Sequence, residues 1–94
     1  MLEISSRLFH WNPDRWMFTG ESAELEHELA RQGWTRLDYR AGQWGFHMRS
    51  HRTRRLLWFQ RISEHRDRKG ELQWVDFHAS LTADQPLVLR VFND

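Results

Sequence analysis

A chain of 94 residues with six tryptophans, six phenylalanines and no cysteine must hold its fold by a hydrophobic core alone, without disulfides or thiolate metal sites. No apolar run approaches the ~20 residues of a membrane span and no secretory leader is read, so the expectation is one soluble, cytoplasmic domain over residues 1–94. The net charge is only +1, yet residues 34–69 hold ten basic against three acidic side chains, while residues 1–33 and 70–94 are each net acidic by three.

Residues 2–11 suit a first strand, Asn12-Pro13-Asp14 a turn, and Arg15-Trp16-Met17-Phe18 a short second strand or an aromatic plug. Residues 21–32 read as the main helix. Thr19 or Ser22 can cap its free amides, and Leu25 and Leu29 give it a narrow apolar stripe. Glu26 falls beside that stripe, at the rim or against an arginine. Gly33 stands where a left-handed residue ends a helix, so a positive φ is expected there.

From Trp34 onward the apolar period changes from 3.6 to 2. Strands are expected over residues 35–40, 43–49, 55–63, 71–81 and 87–92, with turns at 41–42, 50–55, 66–70 and 83–86. The fold class is α+β: an antiparallel meander of about five strands with one main α-helix on one face, in the order β-(β)-α-β-β-β-β-β.

A hairpin closed by a four-residue turn at 67–70 would set Ile62 against Val75, Gln60 against Phe77, Trp58 against Ala79 and Leu56 against Leu81 on the helix side. The same count puts Phe59 opposite His78 and Arg61 opposite Asp76 on the other face, with Leu57 and Trp74 nearby. A slip of one residue exchanges the two faces. The second face is either covered by Leu8, Phe9, Trp11, Trp16 and Phe18 or open as an interaction surface.

The candidate binding residues are Arg49, Arg52, Arg54, Arg55, Phe59, Arg61, Trp74, Asp76 and His78. Tryptophan and arginine are the side chains most enriched at interface hot spots, and a dipolar surface orients a protein partner. A non-enzymatic regulator or inhibitor that binds a protein is therefore the favoured reading. Nucleic-acid binding through residues 49–69, where eight basic side chains meet two acids, is the alternative; the near-neutral whole and acidic ends weigh against it.

A small metal-independent ribonuclease of toxin type is a further alternative, with Arg49 and Arg61 on phosphate charge and His78 as acid or base beside Asp76. His47 and His51 have helical ligand spacing in a stretch that alternates like a strand, so no metal or other cofactor is expected. His51-Arg52-Thr53 and His78-Ala79-Ser80 are similar to the paired motifs of two-histidine phosphoesterases, which are about twice this length and two-lobed. The oligomeric state is left open.

Overall fold

The protein is described by a computed structural model over residues 1–9, 11–12, 17–18, 22–38, 44–82 and 85–94, with side chains at all of these except 11–12, 17–18, 81–82 and 85–86. The chain begins with β1 (Leu2–Ser5), a one-turn helix α1 (Ser6–Phe9), and a two-residue bridge between β2 (Trp11–Asn12) and β3 (Met17–Phe18). Helix α2 (Ala23–Arg31) follows, then β4 (Trp34–Arg36), β5 (Gly45–Ser50), β6 (Leu56–Arg66), β7 (Leu72–Thr82) and β8 (Gln85–Phe92).

Strands β4 to β8 pair antiparallel with their chain neighbours, and β1 joins β8 in parallel, in the order β1-β8-β7-β6-β5-β4. The expected all-antiparallel meander of about five strands thus gives way to a mixed six-stranded sheet. The parallel pair matches Leu2 with Leu89 and Ile4 with Val91, a contact between the two ends of the chain that leaves no local pattern to read.

The first strand is also shorter than the alternation of residues 2–11 suggests. The Ser5 hydroxyl accepts the Arg7 amide at 3.2 Å and donates to Asp94 Oδ1 at 2.6 Å, so a serine stops the strand and starts a turn of helix. Pro86, expected in the last turn, lies within β8, near its start, opposite Ser80. The expected turns at 13–14, 41–42 and 83–84, and Thr19 and Glu21 at the head of the main helix, lie outside the described residues.

Helix α2 forms as its caps require. The Ser22 hydroxyl accepts the Leu25 amide at 3.1 Å, and Gly33 has φ +90° while its amide donates to the Ala30 carbonyl at 3.0 Å. Leu25 and Leu29 are fully buried against one face of the sheet, together with Phe9 of α1.

That face is a ring cluster. Phe46 stacks on Phe59 at 5.9 Å and tilts against Phe77 at 5.0 Å, with Trp34 edge-on to Phe59 at 5.5 Å. Met48, Leu57, Val75, Ala79, Leu89, Val91 and Ile4 complete the layer. Glu26 reaches an arginine, as its place beside the stripe implied: its carboxylate lies 3.7 Å from the buried Arg36 guanidinium, which also sits over the Phe9 ring at 5.6 Å. Among the described residues no helix is long and apolar enough to cross a membrane.

Candidate functional site

The faces are set by the tip of the β6–β7 hairpin. Asp67 and Glu71 close it: the Asp67 amide donates to the Glu71 carbonyl at 2.9 Å, and Gly70, at φ +83°, completes a three-residue loop. The Asp67 carboxylate accepts the amides of Lys69 and Glu71 at 2.8 and 2.9 Å, which holds that loop against the four-residue alternative. Two bulges follow, one of which leaves Ile62 as an extra residue between Arg61 and Ser63.

The expected register is therefore wrong by one residue at Gln60 and Arg61, and by two between the bulges, where Ser63, Glu64 and His65 face Asp76, Val75 and Trp74. Gln60, not Phe59, lies opposite His78, and Arg61 lies opposite Phe77 rather than Asp76. Phe59 is fully buried under the helices and is no part of a surface. Arg61 follows Phe59 to the helix side of the sheet, where its guanidinium bonds Glu64 at 2.9 Å. Leu56 and Trp58, expected in the core, are the residues exposed.

Trp74, Asp76 and His78 alternate with the buried Val75, Phe77 and Ala79, so they do point away from the helices. Asp76 is not available there. Arg90 on β8 stands opposite it and forks onto it, Nε to Oδ1 at 2.9 Å and Nη2 to Oδ2 at 3.1 Å. That hydrogen bonding, with the charges of Asp76 and Glu3 beyond it, raises the Arg90 pKa above its ordinary value.

Arg90 also lies over the Trp74 ring at 4.3 Å, while His65 stacks on the same ring at 4.1 Å and 10°. With the Phe92 ring edge-on at 6.0 Å as well, Trp74 is a well-tied member of the sheet and not an open stacking platform. His78 is half-buried at its place between Gln60 and Val88.

What the face does expose is a line along β6. Leu56 and Trp58, on alternate positions of the strand, are 52% and 42% exposed, and Ile62 at the bulge beyond them is 54% exposed. Trp58 is flanked by the His47 ring at 4.8 Å, which Asp38 holds by a side-chain contact at 3.1 Å and by a bond from the His47 amide at 2.6 Å. Trp44, at the head of β5, is 71% exposed. Sequence reasoning missed this line because it assigned those positions to the core; residues 67–70 fit a three- or a four-residue loop equally, so the sequence carries no signal that separates the two registers.

At the end of the same strand stands the turn of residues 50–55. Its backbone is closed by the Ser50 amide to the Arg55 carbonyl at 3.1 Å and the Arg54 amide to the Ser50 carbonyl at 2.8 Å, with Arg54 at φ +58°. The His51 amide donates to the Gly33 carbonyl at 2.9 Å, so the end of α2 anchors the turn. Arg49, Ser50, His51 and Arg54 line an open cleft of about 380 Å³.

Arg49 is opposite Leu56, so the basic cleft and the apolar line adjoin. Arg31, Arg36, Arg61, Arg66 and Arg90 each have a carboxylate partner, whereas Arg49, Arg52 and Arg54 have none among the described residues. No family model matches the chain, and comparison with curated proteins and with solved structures finds no match.

Proposed function

We propose that the protein is a binding module that docks a partner protein on the sheet face away from its helices. The observation that carries this reading is the line of Leu56, Trp58 and Ile62, three large apolar side chains left exposed on a strand whose alternate residues Leu57 and Phe59 are buried. An exposed tryptophan between two aliphatic side chains is a fit anchor for an apolar pocket. The neighbouring Arg49, Arg52 and Arg54 select a partner with an acidic rim, because bringing acidic groups to them satisfies charges that nothing in the described chain neutralises.

The ribonuclease alternative has less to rest on, since Arg90 holds Asp76 and Glu64 holds Arg61. Nucleic-acid binding keeps one observation in its favour, the three arginines beside the exposed Trp58 ring.

Affinity capture from the native host, with and without nuclease, compares the wild type with a Trp58→Ser, Ile62→Ser double variant. The docking reading expects one stoichiometric protein partner, held in the presence of nuclease and released by the variant, with the melting temperature of the variant within a few degrees of wild type. Capture that disappears with nuclease turns the reading toward nucleic acid. A wild type that only self-associates, or a variant that captures equally well, overturns it.

A further inference from the structure

The cleft at the β5–β6 turn has the chemistry of an oxyanion site, and it stands on observations separate from the apolar line. Arg49 and Arg54 both line one cleft of about 380 Å³, together with Ser50 and His51. Neither arginine meets a carboxylate among the described residues, in a protein where five other arginines do.

The remaining two groups are held in place, and the His51 Nδ1 is a donor in the tautomer whose Nε2 accepts the Thr35 hydroxyl. Ser50 Oγ accepts the Thr53 amide at 3.3 Å and so keeps its own proton to give. Thr35 Oγ1 fixes the His51 ring through Nε2 at 2.6 Å, and Nδ1 has no partner among the described residues. The turn itself is rigid: its two ends are bonded to one another and the His51 amide is bonded to the end of α2.

Arg54 is the second sign. It sits at φ +58°, a left-handed conformation that glycine or asparagine adopts far more readily than arginine, and it is the only described residue other than glycine with positive φ. The fold needs only a backbone there. The side chain it carries instead is one that lines the cleft, and strained residues of this kind gather at binding sites.

We infer that this cleft receives a phosphate monoester, its terminal phosphoryl group held between Arg49 and Arg54 with Ser50 and His51 as further donors. Arginine forks match phosphoryl oxygens in pairs, and a monoester presents three terminal oxygens and nearly two negative charges. A carboxylate brings a single charge and two oxygens, a match for one guanidinium fork rather than two. An internal phosphodiester offers only two free oxygens and a single charge. The ester is either a small phosphorylated molecule or a phosphorylated side chain.

The test is a titration followed by amide shifts of the whole chain, using inorganic phosphate, a phosphoserine peptide, the same peptide unphosphorylated, and a single-stranded oligonucleotide with no terminal phosphate. The site predicts saturable shifts centred on residues 49–55 with inorganic phosphate and the phosphopeptide, and none with the plain peptide. Tighter binding of the phosphopeptide than of inorganic phosphate assigns the ester to a protein segment; equal binding assigns it to a small molecule.

Arg54→Gly and Arg49→Gln should each weaken the phosphate response about tenfold, the effect of losing one charge-assisted contact, with the melting temperature unchanged or raised in Arg54→Gly. Shifts that never saturate, that are equally large at residues 66–70, or that survive both substitutions overturn the proposal. So does tighter binding of the oligonucleotide than of the phosphopeptide.

Discussion

Two turns of this sheet look alike in sequence and differ in what they leave over. Residues 50–55 and 66–70 are both arginine-rich, and each contains a backbone with left-handed φ. At the β6–β7 tip that conformation falls to Gly70, the loop is tied by the Asp67 carboxylate, and Glu64 bonds Arg61 and Arg66. At the β5–β6 turn it falls to Arg54, the ties are hydroxyls and backbone carbonyls, and no acidic residue lies between Asp38 and Glu64. One turn is tied by a carboxylate. The other is tied by neutral bonds, and its Arg52 and Arg54 meet no carboxylate among the described residues. Arginine density alone therefore does not distinguish the two turns; the acids that lie close in sequence to one of them, Glu64, Asp67 and Glu71, do.

The tip has a second role, because its loop length sets which β6 residues reach the core. The largest test of the comparison is therefore a pair of adjacent substitutions. Phe59→Ala should cost about 3–5 kcal/mol, as for a fully buried ring in a close-packed layer, whereas Trp58→Ala should cost about 1 kcal/mol or less, since its indole is 42% exposed. Urea melts of both variants check this. Equal costs, or the reverse order, would mean that the tip does not hold the register described.

Next in size is the tie that makes the tip self-sufficient. Asp67→Ala removes the acceptor of two backbone amides at an exposed site and should cost about 1–2 kcal/mol. A substitution there should leave the β5–β6 turn unaffected, so amide shifts confined to residues 61–73 are the accompanying expectation. Gly70→Ala should cost about 1 kcal/mol, and from conformation alone, since an added methyl group would meet nothing within 4 Å.

How much of this was legible in the residues depends on the range over which each feature is decided. Helix α2 was, because Ser22, the Leu25–Leu29 stripe and Gly33 all act within one element. Strands β5 to β8 were too, to within a few residues, since alternation is local. The parallel pairing of β1 with β8 was not, as nothing near Ile4 says that Val91 will lie beside it.

The register failed for a narrower reason. Residues 67–70 are consistent with either a three- or a four-residue loop, and only the two amide hydrogen bonds that the Asp67 carboxylate accepts and the two bulges decide between them. That one-residue difference moved Phe59 from the site to the core, moved Trp58 out of the core, and gave Asp76 a partner on β8 instead of β6. Arg52 and Arg54 needed no register, because a turn residue has no face to be exchanged.

The smallest expected effect on stability carries the most information about the two turns, because its sign is opposite to that at Gly70. Arg54 holds φ +58° at a conformational cost of about 1 kcal/mol that glycine does not incur. Glycine in turn loses more backbone freedom on folding, which takes back part of the gain. Arg54→Gly should therefore stabilise the protein by up to about 0.5 kcal/mol, helped slightly by the removal of one positive charge next to Arg52 and Arg55. Thermal melts at low and high salt separate the two contributions: the charge part is screened and the conformational part is not. A destabilised Arg54→Gly variant would show that the arginine is held by contacts within the fold, and the turn would then be as self-contained as the tip.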